Sequence, residues 1–310
     1  MNHPIPREQA PTPTHPGQPI QRRDFLKAAA GSLAALLVSG CSKEAVEAFF
    51  QKHFHELSPA ELKTLIARLE RDYQKKWGVD VKISTQGPLP GVLFGYGLDL
   101  SRCIGCRRCV YACVKENNSS RNPQIQWIRV LEQEQAKGTD LKDANPYYHP
   151  NEVPRAGHFY IPVSCHHCRL APCTKVCPVK ATWIDADGIV VIDYDWCIGC
   201  RCCMAACPYG ARRFNWGEPS VPAQELNPHM HYLGNRPRQR GVVEKCTFCI
   251  QRTRAGRYPA CVEICPVGAR KFGNLLDPNS EIRNIMERKR VFVLKAELNT
   301  QPKFYYFYSL

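Results

Sequence analysis

Apolar positions along the chain follow several rhythms, and each predicts a different kind of element. Residues 28–40 are apolar or small throughout, a 13-residue run introduced by Arg22-Arg23-Asp24-Phe25-Leu26-Lys27. A bilayer-spanning helix needs about 20 such residues, so this run is too short to cross a membrane. Residues 1–20 hold six prolines among polar residues and read as an unstructured leader. From Glu44 to Trp77 the pattern becomes helical. Ser58-Pro59-Ala60-Glu61 combines an N-cap, a first-turn proline and a capping-box glutamate, and Leu62, Leu65, Ile66, Leu69 and Tyr73 form one stripe ending before Gly78. The stripe predicts a helix packed on its own domain or, as the sharper reading, one docked on a partner. Thr182 to Ile192 predicts a β-hairpin turning at Asp187-Gly188. Proline-rich and polar stretches at 132–157 and 215–241 predict loops, and the tail from Arg288 to Leu310 contains two strand-like runs, Val291-Phe-Val-Leu and Phe304-Tyr-Tyr-Phe-Tyr.

Composition changes this picture through one residue type. Eighteen of 310 residues are cysteine. That is too many for an ordinary reduced enzyme, in a chain too long for a small disulfide-stapled domain. With 44% hydrophobic residues the chain is not disordered, and with no apolar stretch approaching 18 residues it is not a polytopic membrane protein. Apart from Cys41 and Cys202, the cysteines fall into four quartets: Cys103-x2-Cys106-x2-Cys109-x3-Cys113, Cys165-x2-Cys168-x4-Cys173-x3-Cys177, Cys197-x2-Cys200-x2-Cys203-x3-Cys207 and Cys246-x2-Cys249-x11-Cys261-x3-Cys265. Proline follows the last cysteine in three of them, as Pro178, Pro208 and Pro266.

This is the bacterial ferredoxin ligand run, in which three closely spaced thiolates wrap one [4Fe-4S] cube and the fourth reaches the neighbouring cube. A cube offers four iron corners, a tight loop covers three, and the last thiolate must come from elsewhere. Gly105 and Gly199 let the loops close and aim backbone amides at the cluster. Structural zinc would use two Cys-x2-Cys pairs and leave the remaining cysteines idle. Cysteines three apart in a tight loop make poor disulfide partners. Asp99-Leu-Ser-Arg-Cys-Ile-Gly-Cys aligns without a gap on Asp193-Tyr-Asp-Trp-Cys-Ile-Gly-Cys, so Cys203 stands opposite Cys109 and Cys202 is expected to be a packed thiol. His166 and His167 lie inside a quartet that already has four cysteines, and are read as polar neighbours of a cluster.

The formal charge of +14 points toward nucleic acid only if thiolates are ignored. Cleavage before Cys41 would remove Arg7, Arg22, Arg23 and Lys27 against Glu8 and Asp24, leaving +12. Four clusters at about −2 to −3 each bring the loaded protein close to neutral. Arg107, Arg108, Lys180, Arg201 and Lys245 are therefore expected to screen cluster charge, and no nucleic-acid partner is expected.

The paired arginines before Phe-Leu-Lys and a mild apolar run resemble a twin-arginine signal, the export route of proteins folded around their cofactors. Leu37-Val38-Ser39-Gly40-Cys41 resembles a bacterial lipoprotein box. Acylation of Cys41 would anchor the protein to the periplasmic side of the cytoplasmic membrane.

With four quartets in this order, the chain resembles the four-cluster iron-sulfur (beta) subunits of the complex iron-sulfur molybdoenzyme and polysulfide-reductase-like family. The resemblance runs from about Leu93 to Tyr306. It is most telling in Arg240-Gly-Val-Val-Glu-Lys-Cys-Thr-Phe-Cys, Arg252, Gly256, Pro259-Ala-Cys-Val-Glu-Ile-Cys-Pro and Phe272-Gly-Asn-Leu-Leu-Asp-Pro-Asn-Ser. It implies an α+β fold of two bacterial-ferredoxin-like modules, one inserted in the other, with long loops and an N-terminal helical segment. The expected boundaries are a signal at 1–40, the helical segment at 41–90, an outer module at 91–130 and 240–275, an inner module at 158–215 and an extension at 276–310. The implied ligand sets are Cys103, Cys106, Cys109 and Cys265; Cys246, Cys249, Cys261 and Cys113; Cys165, Cys168, Cys173 and Cys207; and Cys197, Cys200, Cys203 and Cys177. Pro172 stands alone where many relatives have two prolines.

The expected function is electron transfer between a quinone-binding membrane subunit of polysulfide-reductase type and a periplasmic molybdopterin catalytic subunit or multihaem cytochrome c. A free-standing periplasmic polyferredoxin is the alternative. No catalytic residue is expected, because sixteen thiolates saturate four cubes and leave no open iron for a substrate.

Overall fold

The computed structural model describes residues 52–139, 141 and 143–309. The expected signal at 1–40, Cys41 and the first part of the Glu44–Trp77 helix lie outside these residues. The described chain starts with a 3-10 turn at Phe54–Glu56, followed by helix α1 (Pro59–Trp77). The predicted capping box forms in both directions: Ser58 Oγ accepts from the Glu61 amide at 3.3 Å, and Glu61 Oε2 accepts from the Ser58 amide at 2.8 Å. Gly78 ends the helix in the left-handed conformation at φ 69°. The stripe lies on the chain's own core: Leu65 is buried, Ile66, Leu69 and Tyr73 pack on it, and Trp77 Nε1 donates to the Val221 carbonyl at 3.0 Å.

The rest is α+β, made of short elements around long connections. Strands β1 (Lys82–Ser84) and β2 (Phe94–Asp99) lead into helix α2 (Arg108–Glu116), then β3 (Arg129–Glu134) and β4 (His158–Val163). Helix α3 (Pro172–Lys175), the hairpin β5 (Thr182–Ile184) and β6 (Val190–Ile192), helix α4 (Cys202–Ala205) and β7 (Arg213–Phe214) follow. Next come β8 (His229–His231), β9 (Val243–Glu244), α5 (Ile250–Thr253), α6 (Ala260–Glu263), β10 (Arg270–Asn274), α7 (Glu281–Arg288) and β11 (Phe304–Phe307).

The central sheet has the order β10-β2-β11, with β2 antiparallel to β10 and parallel to β11. Its register puts Tyr96 opposite both Phe272 and Phe304, and Tyr96 stacks on Phe304 at 4.5 Å. Gly95 lets Leu275 approach the strand, because a Cβ there would lie 2.7 Å from the leucine side chain. The predicted hairpin forms, with β5 and β6 antiparallel and Gly188 at φ 80°. Three local expectations are corrected, the first being 215–241, which is not all loop because it contains β8, paired parallel with β1. Residues 132–157 are not all loop, since β3 runs through Glu134 and pairs antiparallel with β4. Val291–Leu294 forms no strand: Phe292 makes one isolated bridge to Tyr306, and it is β11 alone that completes the sheet. Among the described residues no helix is long and apolar enough to cross a membrane.

Candidate metal centres

All four Cys-x2-Cys loops turn in the same way. The residue two positions after the first cysteine has positive φ in each: Gly105 (74°), His167 (43°), Gly199 (70°) and Phe248 (54°). The glycines are required by space as well as by φ. A Cβ on Gly105 would sit 2.5 Å from the Tyr160 ring, and one on Gly199 only 2.0 Å from the Gly241 carbonyl oxygen. The other two loops accept the strained conformation with side chains that meet. The His167 and Phe248 rings stack at 3.6 Å between centroids, both fully buried.

Short helices then distribute the thiols. Helix α2 carries Cys109 and Cys113 one turn apart, and α6, packed against it, carries Cys261 and leads to Cys265. Helices α3 and α4 repeat the arrangement with Cys173 and Cys177, Cys203 and Cys207. Three enclosed cavities are each lined by four cysteines drawn from two quartets. Cys103, Cys106, Cys109 and Cys265 line one (site 1), Cys165, Cys168, Cys173 and Cys207 another (site 3), and Cys177, Cys197, Cys200 and Cys203 a third (site 4). Of the remaining four, Cys113 and Cys249 share Asn117, whose Nδ2 lies 3.6 Å from each Sγ, Cys261 Sγ is 3.3 Å from Tyr96 Oη, and Cys246 lies in the same Cys-x2-Cys loop as Cys249 (site 2).

The sites succeed one another. Burial raises Cys109, Cys203 and Cys246, the last to about 12, and a smaller contribution comes each time from a thiol of the next site: Cys261 on Cys109, Cys165 on Cys246, Cys173 on Cys203. Contacts give the order 1–2–3–4: Arg270 touches Cys109 of site 1 and Tyr96 beside Cys261 of site 2, Lys245 reaches from the Cys246 carbonyl of site 2 to the carbonyl of Val190 at site 3, and Arg212 lines the cavities of sites 3 and 4. Burial also pushes Cys103 and Cys168 to about 12. Such thiols ionise only with a cationic partner, and iron is one.

The surroundings fit a sulfur-rich group. Among the described residues no three His, Cys, Asp or Glu side chains are grouped to hold a single ion. Each site instead spreads four thiols around a space, as a cube requires. Four buried polar atoms without a partner belong to these loops and cavities: Arg212 Nη1, His166 Nδ1, His167 Nε2 and Thr247 Oγ1. His167 Nδ1 accepts from the Val190 amide at 3.0 Å, which leaves Nε2 as an N–H donor inside the protein. Burial lowers both histidines, His166 to about 3, so both are neutral at physiological pH.

Besides Asn117 and Tyr96, two cationic side chains that contact thiols were not anticipated. Arg212 Nη2 donates to Cys173 Sγ at 2.9 Å, and Arg270 Nη2 to Cys109 Sγ at 3.1 Å. A repeat would have revealed them, because Cys207-Pro-Tyr-Gly-Ala-Arg212 and Cys265-Pro-Val-Gly-Ala-Arg270 match. Of the five cations expected to screen the clusters, only Lys245 is buried against the sites. Arg107 and Arg201 line the site 1 and site 4 cavities from the rim, stacked on Tyr148 and Trp216, while Arg108 and Lys180 are exposed and line none of the three cavities. The expectation for Cys202 is also corrected. It is exposed, because Arg201 in the left-handed conformation starts α4 with Cys203 facing inward and Cys202 outward.

Comparison with known proteins agrees with this chemistry. A 4Fe-4S dicluster domain family matches residues 156–227 and 233–275, and a second 4Fe-4S dicluster domain family matches 102–181. The chain is 45% identical over 216 residues to a protein of Halobacterium salinarum named as the iron-sulfur subunit of a dimethyl sulfoxide reductase, covering 69% of this chain and 78% of that one. It is 40% identical to an iron-sulfur subunit of the Hdr-like menaquinol oxidoreductase of Archaeoglobus fulgidus, over 67% of this chain and 81% of the relative. To a selenate reductase subunit from Mesobacillus selenatarsenatis it is 38% identical, over 73% and 76%. The cofactors are [4Fe-4S] clusters, and four fit the two dicluster domains. The chain belongs to the family of iron-sulfur subunits that carry electrons within oxidoreductase complexes and leave catalysis to another subunit.

Proposed function

We propose that this chain conducts electrons between a quinone-binding membrane subunit of polysulfide-reductase type and a periplasmic molybdopterin subunit or multihaem cytochrome c. The observation that carries the reading is the unbroken succession of four thiol groups, each built from two cysteine runs. The ligand sets are Cys103, Cys106, Cys109 and Cys265; Cys113, Cys246, Cys249 and Cys261; Cys165, Cys168, Cys173 and Cys207; and Cys177, Cys197, Cys200 and Cys203. Sites 1 and 2 form an outer module from 91–130 and 240–275, with the inner module, 158–215, inserted between its halves. The clusters supply one-electron redox chemistry. The protein buries the thiols, excludes water from the middle of the row and presents hydrogen-bond donors toward it.

The paired arginines and the Cys41 box support export in the folded state and acylation, which would hold the protein on the periplasmic side of the cytoplasmic membrane. A free-standing polyferredoxin is disfavoured because the relatives are named as subunits of reductases and quinol oxidoreductases. Gentle anaerobic extraction of membranes is the test. The expected result is about sixteen irons per chain, a lipid-modified N-terminal Cys41, and a co-purifying quinone-reactive subunit with a molybdenum or haem protein. A soluble protein purifying alone overturns the proposed assembly, and an iron content well below four clusters overturns the ligand sets.

A further inference from the structure

Among the described residues eight lysine and arginine side chains are deeply buried, and they divide into two kinds. Arg236, Arg238, Arg252 and Arg254 each pair with a carboxylate: Asp195 at 2.8 Å, Glu244 at 2.7 Å, Glu116 at 3.1 Å and Asp187 at 2.8 Å. Arg212, Lys245, Arg270 and Lys303 are equally buried, at 2%, 0%, 4% and 5% exposure, and make no ion pair with a carboxylate among the described residues; Lys303, whose amide donates to the His166 carbonyl, borders site 3 alone, and the other three lie at junctions. A buried cation without a countercharge is strongly unfavourable, so these four need negative charge from another source.

Their positions identify that source. Arg270 links site 1 to site 2: Nη2 reaches Cys109 Sγ at 3.1 Å, Nη1 reaches Tyr96 Oη at 2.9 Å, and that hydroxyl lies 3.3 Å from Cys261 Sγ. Lys245 links site 2 to site 3. Its Nζ donates to the Cys246 carbonyl at 2.8 Å and to the carbonyl of Val190, which lines the site 3 cavity. Arg212 links site 3 to site 4, since it donates to Cys173 Sγ at 2.9 Å and lines the cavities of both.

We propose that each of the three junctions in the row carries one dedicated buried cation, Arg270, Lys245 and Arg212, which raises the electron affinity of the clusters on its two sides and so offsets part of the repulsion between electrons held on both. The proposal rests on the ligand sets given above. An electron arriving at a cluster takes its charge from about −2 to −3, next to a neighbour that is already negative. A cation between the two attracts the added electron at either site, and at the effective dielectric of a protein interior an interaction over several ångströms is worth tenfold or more in an equilibrium. Because each cation sits at a junction, its influence is confined to a pair of clusters.

The test uses the anaerobically prepared full-length protein, with iron and sulfide counted first and the potentials of all four clusters then measured by EPR-monitored titration. Lys245→Met is the leading variant, because Lys245 contacts carbonyls and leaves every thiol in place. It should make the clusters of sites 2 and 3 harder to reduce by about tenfold in equilibrium constant, which is about 59 mV for a one-electron couple, while sites 1 and 4 hold their values. Arg270→Met should shift sites 1 and 2, and Arg212→Met sites 3 and 4. Lys245→Arg, which keeps the charge, should restore wild-type potentials. A Lys245→Met protein with four clusters and unchanged potentials, or with all four shifted alike, overturns the proposal. If Lys245→Met loses the clusters of sites 2 and 3 while Lys245→Arg keeps them, the positive charge is required at that junction and the proposal stands; if both lose them, shape is what matters and it falls. A wild-type protein short of four clusters would instead sink the ligand sets, a separable failure.

Discussion

The two internal sites are more deeply covered than the two terminal ones: each internal site has three buried thiols and one half-buried (Cys246, Cys207), each terminal site one buried thiol (Cys109, Cys203) and three less covered. At site 2, Cys113, Cys249 and Cys261 are buried, and at site 3 so are Cys165, Cys168 and Cys173. At site 4, Cys200 is exposed and Cys177 and Cys197 are half-buried, beside an Ile198 that is 63% exposed. At site 1, Cys103, Cys106 and Cys265 are half-buried. All four loops share one local geometry, so the difference comes from what packs over them. Electrons must enter and leave at the ends, where the polypeptide covers the thiols least, and must be kept from water and oxidants in the middle.

The largest break in this contrast should come from an internal ligand. Cys249→Ser should abolish the site 2 cluster, divide the row and leave sites 1 and 3 unable to exchange electrons, whereas Cys200→Ser should disturb site 4 alone. Iron content together with site-resolved EPR of the reduced proteins distinguishes the two outcomes. Gly199→Ala comes next. Its methyl group would collide with the Gly241 carbonyl oxygen in a backbone already at positive φ, and a loss of about 3 kcal/mol or more is expected, visible as failure to retain the site 4 cluster on mild heating.

A smaller effect is expected at Thr300, whose hydroxyl pairs with Tyr209 Oη at 2.7 Å and partly offsets the burial that raises the Cys168 thiol. Thr300→Val should cost about 1 kcal/mol of stability and lower the site 3 potential only, as read by thermal melting and redox titration. Smallest of all, Cys202→Ser should leave iron content and melting temperature unchanged, while Cys203→Ser, one residue away and buried, should lose site 4.

Much of this was legible in the order of the residues, and the part that was not has a consistent character. The quartets, the Ser58 capping box and the Asp187-Gly188 hairpin were all readable, because each depends on residues within a few positions of one another. Arg212 and Arg270 repeat at one offset from Cys207 and Cys265, yet a repeat alone does not say that a guanidinium points inward at a thiol. Cys202 was misjudged because it shares its spacing with its buried neighbour, and only the handed start of α4 turns one of the pair inward. The tail looked featureless as chemistry, yet β11 completes the central sheet and Thr300 and Lys303 border site 3.

The amino-acid sequence by itself determined that sulfur would be gathered into four tight loops, since the closure of Cys-x2-Cys is a property of three peptide bonds and one permissive φ. Only the tertiary structure decided which loops became neighbours, how deeply each was covered and where the unpaired cations came to rest. Those outcomes depend on contacts between segments far apart in the chain, such as His167 on Phe248, and a local pattern carries no record of the packing that brings them together.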